Sequence, residues 1–475
     1  MKILVTIANF GTKNDQYLRR LLDEYASMSH EVHTVVLTNV PKSLGYGVEV
    51  VVETPQGDPW TFPFAHKKIL ADRLGDYDIF IYSEDDTLIT ERNISAFLEV
   101  TKVLAVNEIA GFIRSEKSPD GTTYFSTVHN HFHWDPESIV SRGPYTLAFF
   151  TNEHSASYIL TREQLKRAIK SGGFLIGPHQ EKYDLLVSAA TDPYTQCNFK
   201  KLICISQIED FVLPHLPSKY IGKLGLKDSE FFRQITALEA IHNKTRLCAA
   251  LLNGEANVGQ LRWSKRYYEP VRHDILDLIP DGAQRVLSYG CGWGEMEAEL
   301  VRRGMRVTAI PLDSVIGACA EARGIEVVYG DLESALAKIS SERFDCILAT
   351  DVLHLIPKPD YLLSSLRRVL APGRSVITSV PNLNQLPVWW HRISRHPAYS
   401  HVGNFQRTGV HLASYGMIRR WFANADLALR EVIPIIPKRA ERVHQILGRL
   451  GAGLLAAEFL IVGTRVERPD EPSKV

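Results

Sequence analysis

A glycine-rich motif is the first feature of this chain whose spacing could do chemistry. Gly290-x-Gly292-x-Gly294 follows an apolar run that begins at Arg285 and precedes a helix-forming segment. Glycines at this spacing let the backbone turn tightly and approach a ligand, and the following helix presents free N–H groups to polar ligand atoms. The motif predicts a nucleotide-binding strand, turn and helix.

An acidic triplet is the second such feature. Glu84-Asp85-Asp86 follows at once on the apolar segment from Asp78 to Tyr82. Three carboxylates at the end of a buried strand repel one another unless a cation offsets their charge. Ligands of α/β sheets bind outside the carboxyl ends of strands, so the triplet predicts a divalent metal shared with a nucleotide diphosphate.

The elements that must position the triplet alternate between strand and helix patterns up to about residue 215. Apolar runs predict strands over 2–8, 31–38 and 78–82, and helix-like patterns cover 15–27 and 64–74. This alternation predicts an α/β fold with a largely parallel sheet. Residues 216–257 read as mostly helical.

A second alternating series surrounds the glycine motif, from Trp263 to Val466. Apolar runs predict strands over 285–289, 306–310, 326–329, 344–349, 375–379 and 459–464, with a seventh near 428–434. This count fits a seven-stranded, doubly wound sheet. We therefore predict two α/β domains in the 475 residues, over 1–222 and 263–475, with a helical connector over 223–262.

Composition narrows the classes of partner. Lys plus Arg equals Asp plus Glu, with 54 of each, so no net field attracts nucleic acid and none is predicted as a partner. The six cysteines show no CxxC pairing, which favours reduced thiols in the cytoplasm. The apolar run Gly448 to Gly463 contains Glu458 and is too short to span a bilayer, so any membrane contact is expected to be peripheral. Nothing in the sequence indicates an oligomeric state.

The second half resembles the class I S-adenosylmethionine-dependent methyltransferases, and the resemblance rests on four ordered segments. These are Arg285-Val-Leu-Ser-Tyr-Gly-Cys-Gly-Trp-Gly, Gly330-Asp-Leu-Glu, Phe344-Asp-Cys-Ile-Leu-Ala-Thr-Asp-Val-Leu-His, and Leu366 to Val380. The resemblance implies a Rossmann-like seven-stranded fold with S-adenosyl-L-methionine as cofactor. It also implies the donor-binding residues, which are Tyr289, Gly290, Gly292, Gly294, Asp313, Asp331, Leu332 and Asp351.

Two positions depart from the pattern of that family. Ser288 stands where an acidic residue is usual, and Pro311 stands close to where another acid normally grips the ribose hydroxyls. Asp313, two residues later, is the replacement we expect to reach the ribose. The alternative is a degenerate domain that retains the fold as a scaffold.

Methyl transfer to a sugar hydroxyl needs a base for the acceptor proton. The two candidates are His354, at the edge of the fourth predicted strand, and His411, in a segment that resembles an acceptor-side insertion in methyltransferases of bacterial polysaccharide pathways. Either histidine could instead serve packing alone. The Trp389-Trp390-His391 cluster could stack on a sugar or belong to the core.

The first half resembles glycosyltransferases of the GT-A type through its acidic triplet, with Glu84 and Asp86 as the outer acids of an Asp-x-Asp motif. The resemblance implies Mn²⁺ or Mg²⁺, a nucleotide-sugar donor and a metal shell that His215 completes. Glu209 and Asp210 resemble the acidic pair that supplies a general base.

Two further features of the first half fit such a site. His66, Lys67 and Lys68 lie at the start of a predicted helix. In this fold class, basic residues at that place often approach the donor diphosphate. His129, His131 and His133 would share one face of an extended segment and could serve a metal or an acceptor loop.

Together the two halves predict a bifunctional transferase of polysaccharide or glycolipid biosynthesis. Its first domain would transfer a sugar to a glycan or glycolipid acceptor, and its second would O-methylate a sugar. Two alternatives stay open: a methyltransferase with a non-catalytic glycan-binding module, or an active glycosyltransferase with a degenerate methyltransferase scaffold.

Overall fold

The computed structural model describes residues 1–45, 47–55, 57–222 and 224–466. The chain divides into two compact units, Met1–Thr245 and Arg246–Val475. The expected connector over 223–262 is thus shared between the two units. Within the described residues, no helix combines the length and the apolar character needed to cross a membrane.

The first unit alternates strands and helices along most of its length. Its strands are β1 (Lys2–Asn9), β2 (Glu31–Thr38), β3 (Val48–Val52), β4 (Ile79–Glu84), β5 (Glu108–Ala110), β6 (Ile113–Lys117), β7 (Thr123–Phe125), β8 (Val140–Arg142), β9 (Tyr145–Ala148), β10 (Ser157–Thr161), β11 (Lys200–Cys204), β12 (Val212–Pro214) and β13 (Leu226–Lys227). Its α-helices are α1 (Asp15–Ser27), α2 (His66–Asp72), α3 (Glu91–Thr101), α4 (Arg162–Lys170), α5 (Leu185–Thr195) and α6 (Asp228–His242).

The main sheet of the first unit has the order β10-β4-β1-β2-β3. All of its pairings are parallel except that of β10 with β4, which confirms the predicted largely parallel sheet. Strands β1 and β4 are apolar and buried on both faces, as central parallel strands require. Two four-stranded sheets complete the unit, β5-β11-β9-β8 and β12-β6-β7-β13.

The prediction that residues 216–257 are mostly helical is wrong outside Asp228–His242. Helix α6 forms because Phe231 packs its ring against Phe125 of β7, with 3.6 Å between the ring centroids. Beyond residue 245 the chain is extended, and Leu251 N donates to the carbonyl of Leu312 within the second unit. Backbone pairing in the second unit therefore overrides the local helical pattern.

The second unit contains the glycine motif. Its strands are β14 (Arg285–Cys291), β15 (Arg306–Pro311), β16 (Glu326–Val327), β17 (Phe344–Leu348), β18 (Leu370–Pro381), β19 (Leu427–Ile435) and β20 (Glu458–Arg465). Its α-helices are α7 (His273–Leu276), α8 (Glu295–Arg302), α9 (Ser314–Glu321), α10 (Leu332–Lys338), α11 (Pro359–Val369), α12 (Leu386–Ile393), α13 (Phe405–Thr408), α14 (Tyr415–Asn424) and α15 (Glu441–Leu455).

These strands form one seven-stranded sheet with the order β16-β15-β14-β17-β18-β20-β19. Both pairings of β20 are antiparallel, and the other pairings are parallel. The strand order reverses direction beside β14, so the glycine turn lies at the switch point where doubly wound sheets bind ligands. The predicted seventh strand near 428–434 is confirmed as β19.

Two hydrophobic clusters cover the two faces of this sheet. Leu287 and Ile347 point into one cluster, with Leu366 of α11. Their neighbours Val286 and Cys346 point into the other, with helix α8. Since successive side chains of a strand point to opposite faces, helices on both sides hold the carboxyl ends of β14 and β17 in place.

Candidate functional site

The glycine turn after β14 is shaped by close packing. Gly290 and Gly294 have φ of 77° and 88°, in the left-handed region that favours glycine. A Cβ on Gly290 would lie 2.6 Å from Cγ1 of Val352, and one on Gly292 would lie 2.2 Å from the carbonyl oxygen of Tyr267. The segment around Tyr267 therefore lies directly against the turn.

A carboxylate from α8 reaches the strand position where an acid was expected. Ser288 Oγ donates to Oε1 of Glu297 at 2.6 Å, and both residues are buried. Glu297 lies in the first turn of α8, directly after the glycine motif. The structure thus places an acid beside Ser288 although β14 carries none there.

A buried lysine lies at the same end of the sheet. The side chain of Lys265 has no exposed surface, forms an ion pair with Glu269 and donates to the carbonyl of Thr350 at 3.0 Å. Burial opposes its charge, but Glu269 and Asp351 outweigh this and raise the pKa of Lys265. Burial raises the pKa of Glu269 to about 7, with Lys265 acting in the opposite direction and Asp351 adding to the rise.

Asp351 follows β17 with φ of 51°, a strained conformation for a residue other than glycine. Ser379 Oγ donates to its Oδ1 at 2.7 Å. Burial alone would raise the pKa of Asp351, but the Lys265 charge and the Ser379 hydrogen bond outweigh it and lower the pKa. A cleft opens here, and its lining includes Arg266, Glu269, Arg272, Ile275, Met296 and Asp351.

The other residues that were expected to contact the methyl donor have roles in the local structure. Asp313 Oδ1 accepts from the backbone N–H groups of Val315 at 2.7 Å and Ile316 at 2.8 Å, which caps α9. Asp331 caps α10 in the same way and is exposed, and Leu332 packs partly into the core. The Tyr289 side chain is also in the core, so the donor contact expected there falls to its backbone.

The two candidate bases differ in their surroundings. His354 is 1% exposed; its Nε2–H donates to the carbonyl of Trp263 at 2.8 Å, and its Nδ1 makes no hydrogen bond within the described part of the chain. Burial lowers the pKa of His354 to about 4, so the ring is neutral at pH 7. His411 is half-buried; its Nε2 donates to the carbonyl of Ile356 at 3.0 Å and its ring stacks on Phe405.

The acidic triplet of the first unit follows β4, as predicted. Asp85 accepts from Nδ2 of Asn9 and of Asn14, each at 2.7 Å, so the end of β1 is tied to the triplet. Burial raises the pKa of Asp85 to about 6, against the hydrogen bond from Asn14. Burial also raises the pKa of Glu84 to about 7, and the neighbouring acids add to the effect.

Asp86 is neutralised by cationic side chains. Its Oδ2 accepts from Lys219 Nζ at 2.9 Å, and its Oδ1 lies 3.4 Å from Nε2 of His215. Burial opposes its ionisation, yet His215 and Lys219 outweigh burial and lower the pKa of Asp86. The other ring nitrogen of His215 pairs with Glu116, and the two acids raise the pKa of His215 against burial.

These contacts do not have the arrangement of a metal shell. Among the described residues, no group of three or more His, Cys, Asp or Glu side chains is placed to hold a metal ion. The donor chemistry still suits a divalent cation, because three carboxylates crowd one strand end and two have raised pKa values. Lys219 Nζ donates to Oδ2 of Asp86, so a metal ion can bind that oxygen only if the ammonium group moves away.

The second acid pair lies apart from the triplet. Glu209 and Asp210 lie in a short 3-10 helix, Ile205–Phe211, where Asp210 forms an ion pair with Arg92. Strand β12 separates this helix from His215, so the acid pair and the histidine lie at opposite ends of an extended strand. Glu209 and Asp210 were predicted to supply a general base, and this position separates them from His215, the predicted metal ligand.

Two other expectations for the first unit are wrong. His66 and Lys67 are buried: His66 is hydrogen-bonded to the carbonyl of Pro63, and Lys67 forms an ion pair with Asp192. Neither is available to a diphosphate. The histidines at 129, 131 and 133 share no extended face, because the chain turns at Asn130, whose φ is 58°.

Sequence reasoning missed the charged groups that face the sites from other segments. These are Lys265, Glu269 and Glu297 in the second unit, and Arg114, Glu116 and Lys219 in the first. Glu297 alone had a signal, since it follows the glycine motif within one helical turn. Glu269 lies in the lead-in to that motif, between Tyr268 and Val271, and the other residues lie in segments without a recognisable motif.

A family model matches part of the second unit, and curated proteins are similar to part of the chain. Residues 261–432 match the family model described as "Methyltransferase domain". The chain is 32% identical over 121 residues to the "Ubiquinone biosynthesis O-methyltransferase" of Pseudomonas putida (strain W619), covering 24% of this chain and 52% of that protein. The protein of the same name from Hahella chejuensis is 30% identical over 123 residues, covering 24% and 51%. The chain spans about half the length of the curated relatives it matches.

Solved structures are also similar to part of the chain. A SAM-dependent methyltransferase from Methanosarcina mazei has 17% identity and a TM-score of 0.32, covering 42% of this chain and 100% of that one. An S-adenosylmethionine-dependent methyltransferase from Mesorhizobium loti has 15% identity and a TM-score of 0.29, covering 41% and 96%.

The family match and the strand order point to one conclusion. The match begins at residue 261, covers the glycine turn and ends within β19. Over this region the sheet is doubly wound, with its switch point at the turn. The C-terminal part of this chain therefore combines a match to a methyltransferase domain with a Rossmann-like α/β fold.

Proposed function

We propose that the second unit transfers a methyl group from S-adenosylmethionine to a hydroxyl group. The observation that carries the proposal is the cleft just after β17, whose lining combines Glu269 and Asp351 with two arginines and includes Met296, two residues after the glycine turn. When bound, this cofactor supplies an electrophilic methyl group on a sulfonium. Its amino-acid part is zwitterionic and matches a cleft lined by both carboxylate and guanidinium groups.

The residues divide into binding and proton-transfer roles. Asp351 and Glu269 would hold the amino group of the cofactor, and Lys265 keeps their charges in balance. Asp313, Asp331 and Leu332 remain the proposed contacts for ribose and adenine. His354 would take the acceptor proton at Nδ1, because its Nε2–H is committed to the Trp263 carbonyl and its ring is neutral.

Glu297 provides a test of this site. We propose that its carboxylate replaces the acid missing at Ser288. Glu297→Gln should weaken S-adenosylmethionine binding by about 10- to 100-fold, because the buried negative charge is removed even though the amide oxygen can still accept from Ser288. Adding Ser288→Asp should restore most of the affinity, since it returns a carboxylate to the strand. Isothermal titration calorimetry measures both changes.

Glu299→Gln is the matched control, because Glu299 lies on the same helix but pairs with Arg302 and Arg303 at the surface. It should bind like the wild type. A double variant no better than Glu297→Gln would contradict the replacement. If the wild type shows no binding at millimolar S-adenosylmethionine, methyl transfer itself is excluded.

We propose further that the first unit transfers a sugar from a nucleotide sugar, with Mn²⁺ or Mg²⁺ held by Glu84, Asp86 and His215. The proposal is supported by a largely parallel sheet whose strand β4 ends at Glu84, the first of three successive carboxylates. Glu209 and Asp210 are the weaker part of it, because β12 lies between them and His215. A general base at that position would require an acceptor that reaches along the strand.

The two activities would serve one pathway, in which a glycan or glycolipid is extended and a sugar hydroxyl is methylated. Two alternatives predict different outcomes. A glycan-binding first unit leaves methylation intact without nucleotide-sugar hydrolysis, and a scaffold-only second unit leaves hydrolysis intact without S-adenosylmethionine binding.

Replacing Asp86 tests the metal-assisted donor site. Asp86→Asn keeps the side-chain volume but removes the charge, so Mn²⁺-dependent binding of uridine diphosphate should weaken by about 100-fold or more. Calorimetric titration with and without Mn²⁺ separates the metal-dependent part. Asp72→Asn, at an exposed carboxylate of the same unit, should change nothing. Equal affinity of Asp86→Asn and wild type would refute the metal site.

A further inference from the structure

Helix α12 of the second unit carries an apolar face that the fold leaves exposed. Leu386, Trp389, Trp390 and Ile393 are 41%, 48%, 65% and 57% exposed. Their spacing of three, four and seven residues puts them on one side of the helix. Val388, on the opposite side, is buried. The helix is therefore held to the unit by one face and presents two tryptophans on the other.

This arrangement is not that of a core helix. The sequence left open whether Trp389 and Trp390 belong to the core, and their exposure shows that they do not. Clustered large apolar side chains at a protein surface mark an interaction site. Tryptophan is the residue most characteristic of the boundary between lipid and water, because its ring is apolar and its N–H is polar.

The charge around α12 identifies the partner. No Asp or Glu occurs between residues 361 and 425, although the whole chain has equal numbers of acidic and basic residues. The same span contains eight arginines: Arg367, Arg368, Arg374, Arg392, Arg395, Arg407, Arg419 and Arg420.

Three of these arginines lie close to the apolar face along the chain or in space. Arg392 belongs to α12 and Arg395 follows it. The guanidinium of Arg392 lies beside Gly403, which places the turn that carries the exposed Arg407 next to the helix. Tryptophans bordered by arginines, within a stretch of sequence that contains no acidic residue, match a bilayer surface that contains anionic lipid.

We propose that α12 binds the surface of a bilayer containing anionic lipid, with Trp389 and Trp390 inserted at the interface. The proposed contact is peripheral, and it differs in place from the apolar run near the C-terminus.

The position of α12 links this surface to the methyl-transfer site. Val388 and Tyr399 share a hydrophobic cluster with Leu355, the neighbour of His354. Tyr399 also packs edge-on against Trp263, whose carbonyl holds the His354 ring. A bilayer at α12 would thus lie on the acceptor side, which fits a lipid-linked acceptor; that consequence alone rests on the proposed function.

Vesicle sedimentation tests the proposal with the full chain. The wild type should sediment with vesicles of phosphatidylcholine and phosphatidylglycerol, and less with phosphatidylcholine alone. Trp389→Ala/Trp390→Ala should reduce the bound fraction by about tenfold or more, since two interfacial anchors are lost. Both side chains are exposed, so the variant should retain its circular dichroism spectrum.

Trp60→Ala is the matched control, because Trp60 is 51% exposed in the first unit. It should sediment like the wild type. The proposal is overturned if the wild type does not bind anionic vesicles, if the double variant binds equally well, or if single-stranded RNA retains the protein where vesicles do not. The assay contains no S-adenosylmethionine, so failure of methyl transfer leaves its result unaffected.

Discussion

Replacing Lys265 by methionine is expected to lower the free energy of unfolding of the second unit by about 3–5 kcal/mol. Lys265 is wholly buried and paired with Glu269, and its charge also faces Asp351. Methionine preserves most of the stem, so packing changes little. The loss arises because buried carboxylates remain without their cation, and urea unfolding followed by fluorescence measures it.

The raised pKa of Glu269 predicts how the stability loss caused by Lys265→Met changes with pH. Burial raises the pKa of Glu269 to about 7, above its ordinary value, so stability associated with protonated Glu269 is present at low pH and declines as pH rises through 7. Without Lys265 the ionised form is more costly. The difference between Lys265→Met and wild type should therefore grow from pH 6 to pH 8.

Two variants check the cause. Arg306→Met removes an exposed ion pair with Glu326 in the same unit and should cost at most about 1 kcal/mol. Lys265→Met/Glu269→Leu removes both partners and should recover more than half of the loss. If Lys265→Met costs no more than Arg306→Met, the buried charges are not coupled as the structure indicates.

Replacing His354 by glutamine is expected to reduce kcat for methyl transfer by about 10²- to 10⁴-fold, the usual contribution of a positioned general base. Glutamine can still donate to the Trp263 carbonyl but has no basic nitrogen in place of Nδ1. The dissociation constant for S-adenosylmethionine should stay within about threefold of the wild type. Single-turnover methylation combined with calorimetry separates the two effects.

The acid limb of the rate profile distinguishes a buried base from an exposed one. The pKa of His354 is lowered to about 4 by burial, so protonation of His354 should not lower kcat, measured at saturating S-adenosylmethionine, between pH 7.5 and pH 5.5. An exposed imidazole would be half protonated near pH 6.5. His411→Gln is the comparison: a large loss of kcat there, with His354→Gln near wild type, would assign the base to His411 instead.

The lowered pKa of His354 also predicts how the stability of the fold depends on pH. Between about pH 4 and its ordinary pKa of about 6.5, His354 binds a proton in the unfolded chain but not in the folded one. Stability that comes from burying the neutral ring is thus lost as pH falls through that range. Activity measurements at low pH therefore need a parallel measurement of folding.

Local patterns were sufficient for much of the fold. Helix α1 spans the predicted residues 15–27, and the glycine turn follows its predicted strand. Such elements are predictable because apolar periodicity and glycine spacing act over a few residues. The helical prediction for residues 246–257 is wrong. Their backbone pairs with residues around Leu312, and no local pattern reveals that distant partner.

The sequence by itself determined two α/β halves, the glycine turn and the acidic triplet at a strand end. Only the tertiary structure placed Glu297 on Ser288, Lys265 among the carboxylates, and Lys219 on Asp86. Only it separated Asp210 from His215 and left α12 exposed. The physical reason is common to all of them: burial and charge balance depend on residues that packing brings together from distant parts of the chain.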